Sequence, residues 1–448
     1  MRTDPIAPII AKELWTGLAE PDEDTQDDQE APPVRRRTAR PLAAALTALA
    51  ALAAGCAGAP APQAAAAAAP DPADWSAVLE QARGKTLDWY LYGGDDAYNS
   101  FVDGYVTEEL ATLGVTLNRV PVADTADAVN KVLAEQQAGR TADGTVDAIW
   151  INGENFATGK QAGLWYCGWA GALPNAQYVD AADPAIATDF GVPVDGCESA
   201  WVQSSSALVY DSARVSAADV ASLPALEAWA RRAPGLFTYP APPDFTGSMV
   251  VRTFLYDTAG GPQTFPAAFD EAAFAPVAER LFARLQALEP SLWRGGQTYP
   301  TSQQAVEQLY ATGEIAAYFT YGPGTVAAKV ADGTFPATTR QAVPDGGNIG
   351  NVSNIAIPAN SPDRAAALVL ANLLQEPRSQ LRFFADHGAY PAISLEQVPA
   401  DLRQEFTAVP TSPSVLPLPE LTADVQPELA PAYVDAVDEG WTASVLQR

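Results

Sequence analysis

Two short polar segments that contain glycine follow apolar, strand-like runs, TLDWYLY and VDAIWI. Their members are Gly93, Gly94, Asp95, Asn152, Gly153, Glu154 and Asn155. Backbone N–H groups at a strand-to-helix turn can bind the anionic part of a ligand, and Glu154 can pair with a cation. A plain tight turn explains the first two glycines equally well, and Glu154 can instead cap its helix. Both segments are predicted ligand contacts with these alternatives open.

Hydroxyl groups and aromatic rings supply further candidates in the middle of the chain. They are Ser204, Ser205, Ser206, Tyr239, Phe245, Thr246, Gly247, Ser248, Trp293, Tyr321 and Gly322. Serine hydroxyls donate and accept hydrogen bonds, and flat or cationic ligands stack on aromatic rings. An ordinary strand surface for the serines and core packing for the rings are the alternatives.

Residues for catalysis or metal binding are scarce. His387 is the single histidine, and FADHGAYP places it in a loop after a helix, which is typical of a surface or capping residue. Asp95 and Asp96 are adjacent, a spacing that does not specify the separation a glycosidase needs. Tyr318 and Tyr321 could supply phenolates to ferric iron, but a three-residue spacing on a strand puts them on opposite faces. We predict no catalytic residues, no cofactor and no metal site.

The elements that position the first candidates form strand–turn–helix units. Strands are predicted at residues 86–92, 115–122 and 146–151, each followed by a helical period, and Asp124 with Thr125 caps the second helix. Repeated units of this kind predict an α/β fold with mainly parallel sheets. In such sheets ligands collect at the carboxyl ends of the strands, where both glycine-containing segments fall.

The second half of the chain contains a crossover and a return. Residues 200–214 form an extended run that leads away from the first sheet, and 348–358 form a return strand. Helices are predicted between them, and residues 233–248, rich in proline and aromatics, form a rigid loop. Residues 314–320 form a strand that is followed directly by Tyr321.

An export signal is predicted at residues 34–55, and an acidic segment precedes it. Arginines at 35–37 and 40 precede the apolar run LAAALTALAALAAGC, which is too short to span a bilayer of about 30 Å. Its end resembles a bacterial lipobox, in which Cys56 becomes the lipid-modified first residue; a plain signal peptide is the alternative. Residues 1–33 are predicted to be disordered or a misassigned start, and 56–84 an Ala/Pro-rich tether.

Charge and cysteine content limit the partners. A net charge of −28 in 448 residues argues against nucleic acid and anionic lipid headgroups. Because an exported protein meets oxidising conditions, Cys167 and Cys197 are predicted to form a disulfide, with two buried free thiols as the alternative.

The runs WYLYGGDD, VDAIWINGENF and PGLFTYPAPPDFTGS resemble the extracellular solute-binding proteins of the YnjB type, components of ABC importers. The resemblance covers about residues 85–405. It implies a two-lobed type II periplasmic-binding-protein fold with crossing hinge strands. Relatives suggest thiamine, polyamine or ferric iron as ligands. The Cys167/Cys197 pair is a departure from the family's pattern.

These observations together predict a lipid-anchored, extracytoplasmic receptor on the outer face of the cell membrane or in the periplasm. It would capture a small polar solute, thiamine-like or polyamine-like, and pass it to an ABC permease and its ATPase. Lobe 1 would comprise residues 85–205 with 346–386, and lobe 2 residues 206–345 with about 387–448. We expect a monomer and no enzyme; an exported carbohydrate-active enzyme that uses carboxylates is the alternative.

Overall fold

The structure is a computed structural model that describes residues 70–410, 412–421 and 423–447. The predicted acidic segment 1–33, the signal peptide 34–55 and Cys56 lie outside the described residues. Within the described ranges, no helix has the length and apolar character needed to cross a membrane.

The strands of the described residues alternate with helices along most of the chain. The strands are β1 (Thr86–Tyr92), β2 (Thr116–Val122), β3 (Ala148–Ile151), β4 (Thr188–Asp189), β5 (Val192–Pro193), β6 (Glu198–Ser205), β7 (Ala207–Asp211), β8 (Ala317–Thr320), β9 (Thr339–Ala342), β10 (Asn348–Ala356), β11 (Tyr390–Pro391) and β12 (Val425–Gln426). The α-helices are α1 (Trp75–Ala82), α2 (Asp96–Phe101), α3 (Thr107–Thr112), α4 (Thr125–Gln137), α5 (Gly153–Gln161), α6 (Pro184–Ala187), α7 (Leu223–Arg232), α8 (Phe245–Ala259), α9 (Glu271–Leu288), α10 (Gln303–Ala311), α11 (Val326–Ala331), α12 (Arg364–Leu374), α13 (Pro377–His387), α14 (Ala400–Ala408), α15 (Leu418–Leu421) and α16 (Pro431–Trp441).

The N-terminal strand–helix units confirm the sequence prediction in detail. β1 has the predicted bounds, and β2 and β3 begin one and two residues later than predicted. Asp124 is the N-cap of α4, because its carboxylate accepts a hydrogen bond from the N–H of Ala126 at 2.8 Å. The cap residue and the strand positions predicted from the sequence therefore agree with this part of the structure.

The folded body begins earlier than the sequence analysis expected. α1 lies inside the segment predicted to be a tether, with Asp74 as its N-cap, and it packs against α12. Val78 and Ala82 are fully buried on the packed face. The start near Lys85 was therefore wrong, since the alanine-rich composition concealed a short amphipathic helix.

The larger sheet has the order β11-β6-β10-β3-β1-β2, with β12 also paired to β10. β1 pairs in parallel with β2 and β3, whereas β10 runs antiparallel to both β3 and β6. Parallel pairing, expected for most of the sheet, holds for the three N-terminal strands and for the short pair of β10 and β12. The return strand β10 enters from the opposite end, so the sheet is mixed.

The second sheet has the order β8-β7-β9 and is antiparallel throughout. Only Ser206 separates β6 of the first sheet from β7 of the second. The returning β10 contacts this crossing point, because Ile349 O accepts a hydrogen bond from the N–H of Ser206 at 2.8 Å. We call the larger sheet with its helices the first lobe, and the three-stranded sheet with α7–α11 the second lobe.

The C-terminal part contacts both lobes. β11 pairs with β6 of the larger sheet, while α16 packs against α8 and α9 of the second lobe. This differs from the expectation that residues after about 387 belong to the second lobe alone. Their short, proline-interrupted pieces gave no periodic signal to place them.

Candidate functional site

A cleft with a volume of about 1490 Å³ lies between the two lobes. The first lobe supplies the ends of β1, β3 and β6 and the start of α5, and the second lobe supplies the start of α8, one face of α10 and the end of β8. Of the residues proposed from the sequence, those that line the cleft are Gly93, Gly94, Asp95, Asn152, Glu154, Asn155, Ser204, Phe245, Thr246, Tyr321 and Gly322.

The loop after β1 is held by its own helix and by the opposite lobe. Asp95 is the N-cap of α2, because its carboxylate accepts hydrogen bonds from the N–H groups of Ala97 at 2.9 Å and Tyr98 at 3.1 Å. A Cβ atom at Gly94 would lie 2.0 Å from Gln304 Nε2, which donates to Gly94 O at 2.7 Å. The glycine therefore permits the close approach of α10 across the cleft.

The segment after β3 divides into inward and outward groups. Gly153 is turned from the cleft: its N–H donates to both carboxylate oxygens of Asp189, at 2.9 and 2.8 Å. Asn152 Nδ2 lies 3.4 Å from Ser353 Oγ on the neighbouring strand β10. The structure thus places Gly153 outside the cleft lining, and its N–H binds a buried carboxylate instead of facing a ligand.

Glu154 is the carboxylate of this segment that faces the cleft. Burial raises the pKa of Glu154, and the nearby positive charge of Arg252 opposes that rise. Its side chain has no hydrogen-bond partner among the described residues apart from its own backbone N–H. Glu154 is therefore placed to meet a positive charge in the cleft.

Only the first of the three crossover serines reaches the cleft. Ser205 and Ser206 are buried at 1% exposure each, and Ser206 Oγ accepts a hydrogen bond from the N–H of Ile349 at 3.1 Å. Alternation along β6 turns Ser205 away from the face that carries Ser204. Ser205 and Ser206 thus lie outside the cleft lining, contrary to the expectation that they contact the ligand. The hydroxyl of Ser206 instead binds the backbone of β10 at the crossing of the lobes.

Some of the predicted aromatic residues of the second lobe line the cleft, and others pack in the core. Phe245 and Tyr321 line the cleft with ring centroids 5.0 Å apart. Tyr239 is 1% exposed in the core of the second lobe, where its hydroxyl accepts a hydrogen bond from Trp441 Nε1 at 3.2 Å. Core packing, the alternative named for these rings, is the correct account of Tyr239.

Gly247 and Ser248 also lie outside the cleft lining. A Cβ at Gly247 would lie 2.2 Å from Pro240 O, so this glycine allows α8 to pack on the loop before it. Ser248 Oγ donates to Asp438 Oδ1 at 2.6 Å. Both residues serve the packing of α8 rather than the ligand, which corrects their prediction.

Trp293 does not form a jaw of the cleft. Its Nε1 donates to Glu314 Oε2 at 3.2 Å, and the guanidinium of Arg294 lies 4.1 Å from its ring centroid. The ring packs against the cluster that contains Tyr310 and Tyr318. A large ring beside a flexible turn suggested a cleft residue, but residues distant in the sequence pack against the ring of Trp293.

A buried ionic network lies directly behind the cleft wall. Arg252 Nε and Glu428 Oε2 are 3.0 Å apart, with side chains 1% and 2% exposed. Tyr321, which lines the cleft, donates its hydroxyl to Glu428, and Arg252 Nη1 lies 2.5 Å from Ser248 Oγ. The network ties α8 to the C-terminal segment and fixes the ring of Tyr321 in the cleft.

The cleft carries a surplus of carboxylates. They are Asp95, Asp96, Asp124, Glu154, Asp244, Glu307 and Asp332. Among the described residues that line the cleft, Lys329 is the one lysine and arginine is absent; its Nζ is 2.6 Å from Glu307 Oε2. Several carboxylates are explained as helix caps, as Asp95 and Asp124 show. Even so, the cleft as a whole favours a positive charge.

Sequence reasoning missed several lining residues. They are Tyr92, Trp150, Gln304, Glu307, Asn351, Ser353 and His387, among others. Tyr92 and Trp150 belong to predicted strands. The alternation of residues along a strand separates its two faces, but it does not show which face lines the cleft. His387 ends α13 and lies beside the rings of Phe101 and Phe383; burial lowers its pKa, which favours the neutral imidazole.

The cysteines outside the signal region are joined in the structure. Cys167 and Cys197 form a disulfide with their Cα atoms 3.9 Å apart. It connects the loop after α5 to the residue before β6 and therefore braces the first lobe near the crossing strand.

The comparisons with known proteins agree on one family. The model described as bacterial extracellular solute-binding protein matches residues 106–407. Protein YnjB of Escherichia coli (strain K12) is 39% identical over 320 residues, which cover 70% of this chain and 80% of that protein. The chain belongs to the bacterial extracellular solute-binding proteins. The resemblance stated from the sequence is thereby confirmed.

Solved structures show that this solute-binding protein has the two-lobed type II periplasmic-binding fold. A putative spermidine/putrescine ABC transporter from Listeria monocytogenes matches with a TM-score of 0.57 and 13% identity, covering 80% of this chain and 98% of that chain. An ABC transporter from Clostridium perfringens ATCC 13124 matches with a TM-score of 0.55 and 15% identity at the same coverage. The AfuA protein from Actinobacillus pleuropneumoniae, with fructose-6-phosphate bound, matches with a TM-score of 0.55 and 12% identity, covering 81% and 99%.

These structural likenesses concern the fold and not the ligand of the solute-binding protein. Two of these proteins are associated with chemically opposite compounds, polyamines in one case and a sugar phosphate in the other. Among the described residues there is no cluster of three or more histidine, cysteine, aspartate or glutamate side chains that could hold a metal ion. The ligand must therefore be inferred from the cleft's own chemistry.

Proposed function

We propose that this protein is an extracytoplasmic receptor that captures one small organic cation in the cleft between its lobes and delivers it to an ABC permease. The observation that supports the proposal is the cleft itself, which both lobes line and which carries far more acidic than basic side chains. Closure of two lobes around a ligand needs no covalent chemistry, only tighter binding to the closed form.

Glu154 is the proposed partner of the ligand's positive charge. Its carboxylate faces the cleft without a protein cation in direct contact, whereas Lys329 and Glu307 already neutralise each other. A desolvated ion pair with a ligand is stronger than an exposed pair, since the local dielectric constant is low. The Phe245 and Tyr321 rings add stacking or cation–π contacts worth about 0.5–2 kcal/mol.

The ligand class follows from these groups. A thiamine-like cation fits the combination of rings and a carboxylate, and a polyamine-like cation fits the row of acidic side chains. The carbohydrate-active enzyme is the weaker alternative, because the carboxylate of Asp95, one member of its acidic pair, caps α2.

The test is a thermal-shift screen of the purified protein with thiamine, spermidine, putrescine and choline, and with fructose-6-phosphate as an anionic control. A ligand at 100 times its dissociation constant adds about 2.7 kcal/mol, which raises the Tm of a large chain by a few degrees. We expect at least one cation to raise the Tm and the anion to leave it unchanged.

Glu154→Gln and Glu396→Gln provide the matched pair of variants. Each removes one negative charge, but Glu396 is exposed and lies outside the cleft lining. The shift should fall strongly in Glu154→Gln and persist in Glu396→Gln. A shift with the anion alone, or equal shifts in the two variants, would reject the cation receptor.

Lipid attachment at Cys56 and association with the permease belong to the same proposal. An anchor at Cys56 would hold the body at the outer face of the membrane through the segment before α1. Labelled palmitate should enter the wild-type protein and not a Cys56→Ala variant. Equal labelling of the two would refute the anchor without affecting ligand binding, and size measurements should show a monomer.

A further inference from the structure

Asn351 on β10 has an amide that the fold does not use. Its side chain is 7% exposed and belongs to the cleft lining, yet neither Oδ1 nor Nδ2 has a hydrogen-bond partner among the described residues. Buried amides in folded proteins are nearly always paired, and an unpaired one destabilises the protein. An unpaired amide beside a ligand cleft therefore needs a functional account.

The surroundings of Asn351 form an uncharged hydrogen-bonding floor. Ser204 lies directly opposite Asn351 on the neighbouring strand β6, and Ser353 is two positions further along β10, on the same face. Asn152 reaches Ser353 from the end of β3. All four side chains line the cleft, so three strands present amides and hydroxyls to the same space.

A second asparagine on the same strand shows the contrast. Asn354 is 5% exposed, but its Nδ2 donates to Val352 O at 3.2 Å, and it is absent from the cleft lining. Asn354 thus has a structural partner, whereas Asn351, equally buried, has none. The difference between the two lies in which side chain reaches the cleft.

Resting on the proposed function, we infer that Asn351 reads an uncharged end of the ligand in which a hydrogen-bond donor and an acceptor lie side by side. The Asn amide offers one acceptor oxygen and two N–H donors in a plane. It therefore pairs with a primary carboxamide, or with an amino group next to a ring nitrogen, as Asn amides do with the edge of adenine. The ligand is then a cation with two distinct ends: a positive charge for Glu154 and a donor–acceptor edge for Asn351.

The experiment compares probes that have equal charge and differ in this edge. The first pair is 1-methylnicotinamide, which has a carboxamide, and 1-methylpyridinium, which lacks it. The second pair is thiamine, which has an aminopyrimidine, and choline, which lacks one. Dissociation constants are measured by calorimetry on the purified full-length protein, its Asn351→Leu variant and its Asn354→Leu variant. Spermidine and putrescine complete the panel.

The inference expects the wild-type protein to bind the edge-bearing member of at least one pair tenfold or more tightly than its partner. Asn351→Leu should lose that preference by binding both members about equally, and Asn354→Leu should keep it. If Asn351→Leu does not fold, Asn351→Ser takes its place, because a single hydroxyl cannot pair with both groups of the edge.

Four results would overturn the inference. The wild-type protein could show no preference within either pair, or bind spermidine or putrescine more tightly than every edge-bearing probe. The Asn351 variant could keep the wild-type preference, which would refute the role of Asn351 and leave the cation receptor intact. No binding by any of the six probes would reject the receptor for organic cations, and this inference would fall with it.

Discussion

The buried pair of Arg252 and Glu428 should be essential for stability, and Arg252→Met tests this. The variant removes the guanidinium and leaves Glu428 buried at 2% exposure without its cation. Breaking a buried ion pair on one side costs about 3–5 kcal/mol, because the remaining charge is uncompensated. We expect the upper part of that range, since Asp438 also feels the positive charge of Arg252.

The size of this effect in degrees follows from the size of the chain. A change of 1 kcal/mol shifts the Tm of a protein this large by roughly 1–2 °C, so the variant should melt about 4–8 °C lower. Calorimetry on Arg252→Met, Glu428→Leu and the double variant gives a double-mutant cycle. The double variant should recover much of the loss, because replacing both partners with apolar groups removes the unpaired charge.

A cost of less than about 1 kcal/mol in Arg252→Met would contradict the uncompensated charge of Glu428 as the cause, as would a double variant that loses the full sum of both single changes. Arg294→Met is the matched control. Arg294 lies over the ring of Trp293 at the surface, and its loss should change the Tm by less than about 1 °C, because exposed contacts contribute little.

Three further changes test the packing and charge of the lobes. Burial, together with the nearby carboxylates of Glu154 and Glu428, raises the pKa of Asp189 above its usual range, so its ionisation opposes folding. The free energy of unfolding should therefore fall as the pH rises above about 4, and Asp189→Asn should remove the part of that fall that Asp189 causes, as measured by urea unfolding at several pH values. Gln304→Leu removes the hydrogen bond from Gln304 Nε2 to Gly94 O across the cleft and should weaken ligand binding about fivefold, with little change in Tm, because each such bond contributes about 1 kcal/mol. Gly324→Ala should cost about 1–3 kcal/mol in Tm measurements, because its Cβ would lie 1.8 Å from Gly388 O and the backbone must move.

Each of these predictions has its own contrary result. The pH account is wrong if Asp189→Asn and the wild-type protein show the same change in stability between pH 4 and 8. Unchanged affinity in Gln304→Leu would show that the contact across the cleft does not support closure. Gly104→Ala is the control for Gly324→Ala, because a Cβ there meets no atom within 4 Å; equal losses in the two variants would exclude the backbone contact as the cause.

The local elements could be predicted because their signals are local. The bounds of β1 and the capping of α4 by Asp124 follow from alternation and from a cap residue within a few positions. The cleft loops could be located in the same way, since Gly93 and Asn152 directly follow predicted strands. These signals place a residue on an element but do not say which neighbours cover it.

The missed residues depend on contacts between distant parts of the chain. Tyr239 and Trp293 are residue types that often bind ligands. In this structure, however, their polar atoms form hydrogen bonds with Trp441 and Glu314 respectively. Asn351 was missed for the opposite reason: every residue of β10 is buried, so the strand shows no alternation that would mark its cleft face. A single sequence does not show which residues, distant along the chain, will bury a given side chain.

The most direct test of the receptor is equilibrium dialysis of the purified protein against a mixture of the six cations, followed by mass spectrometry of the bound fraction. The proposal predicts that one probe is enriched on the protein side, up to one molecule per chain, with its mass unchanged. Equal concentrations of every probe on both sides, or the appearance of a product mass, would contradict the claim that this cleft captures a solute without altering it.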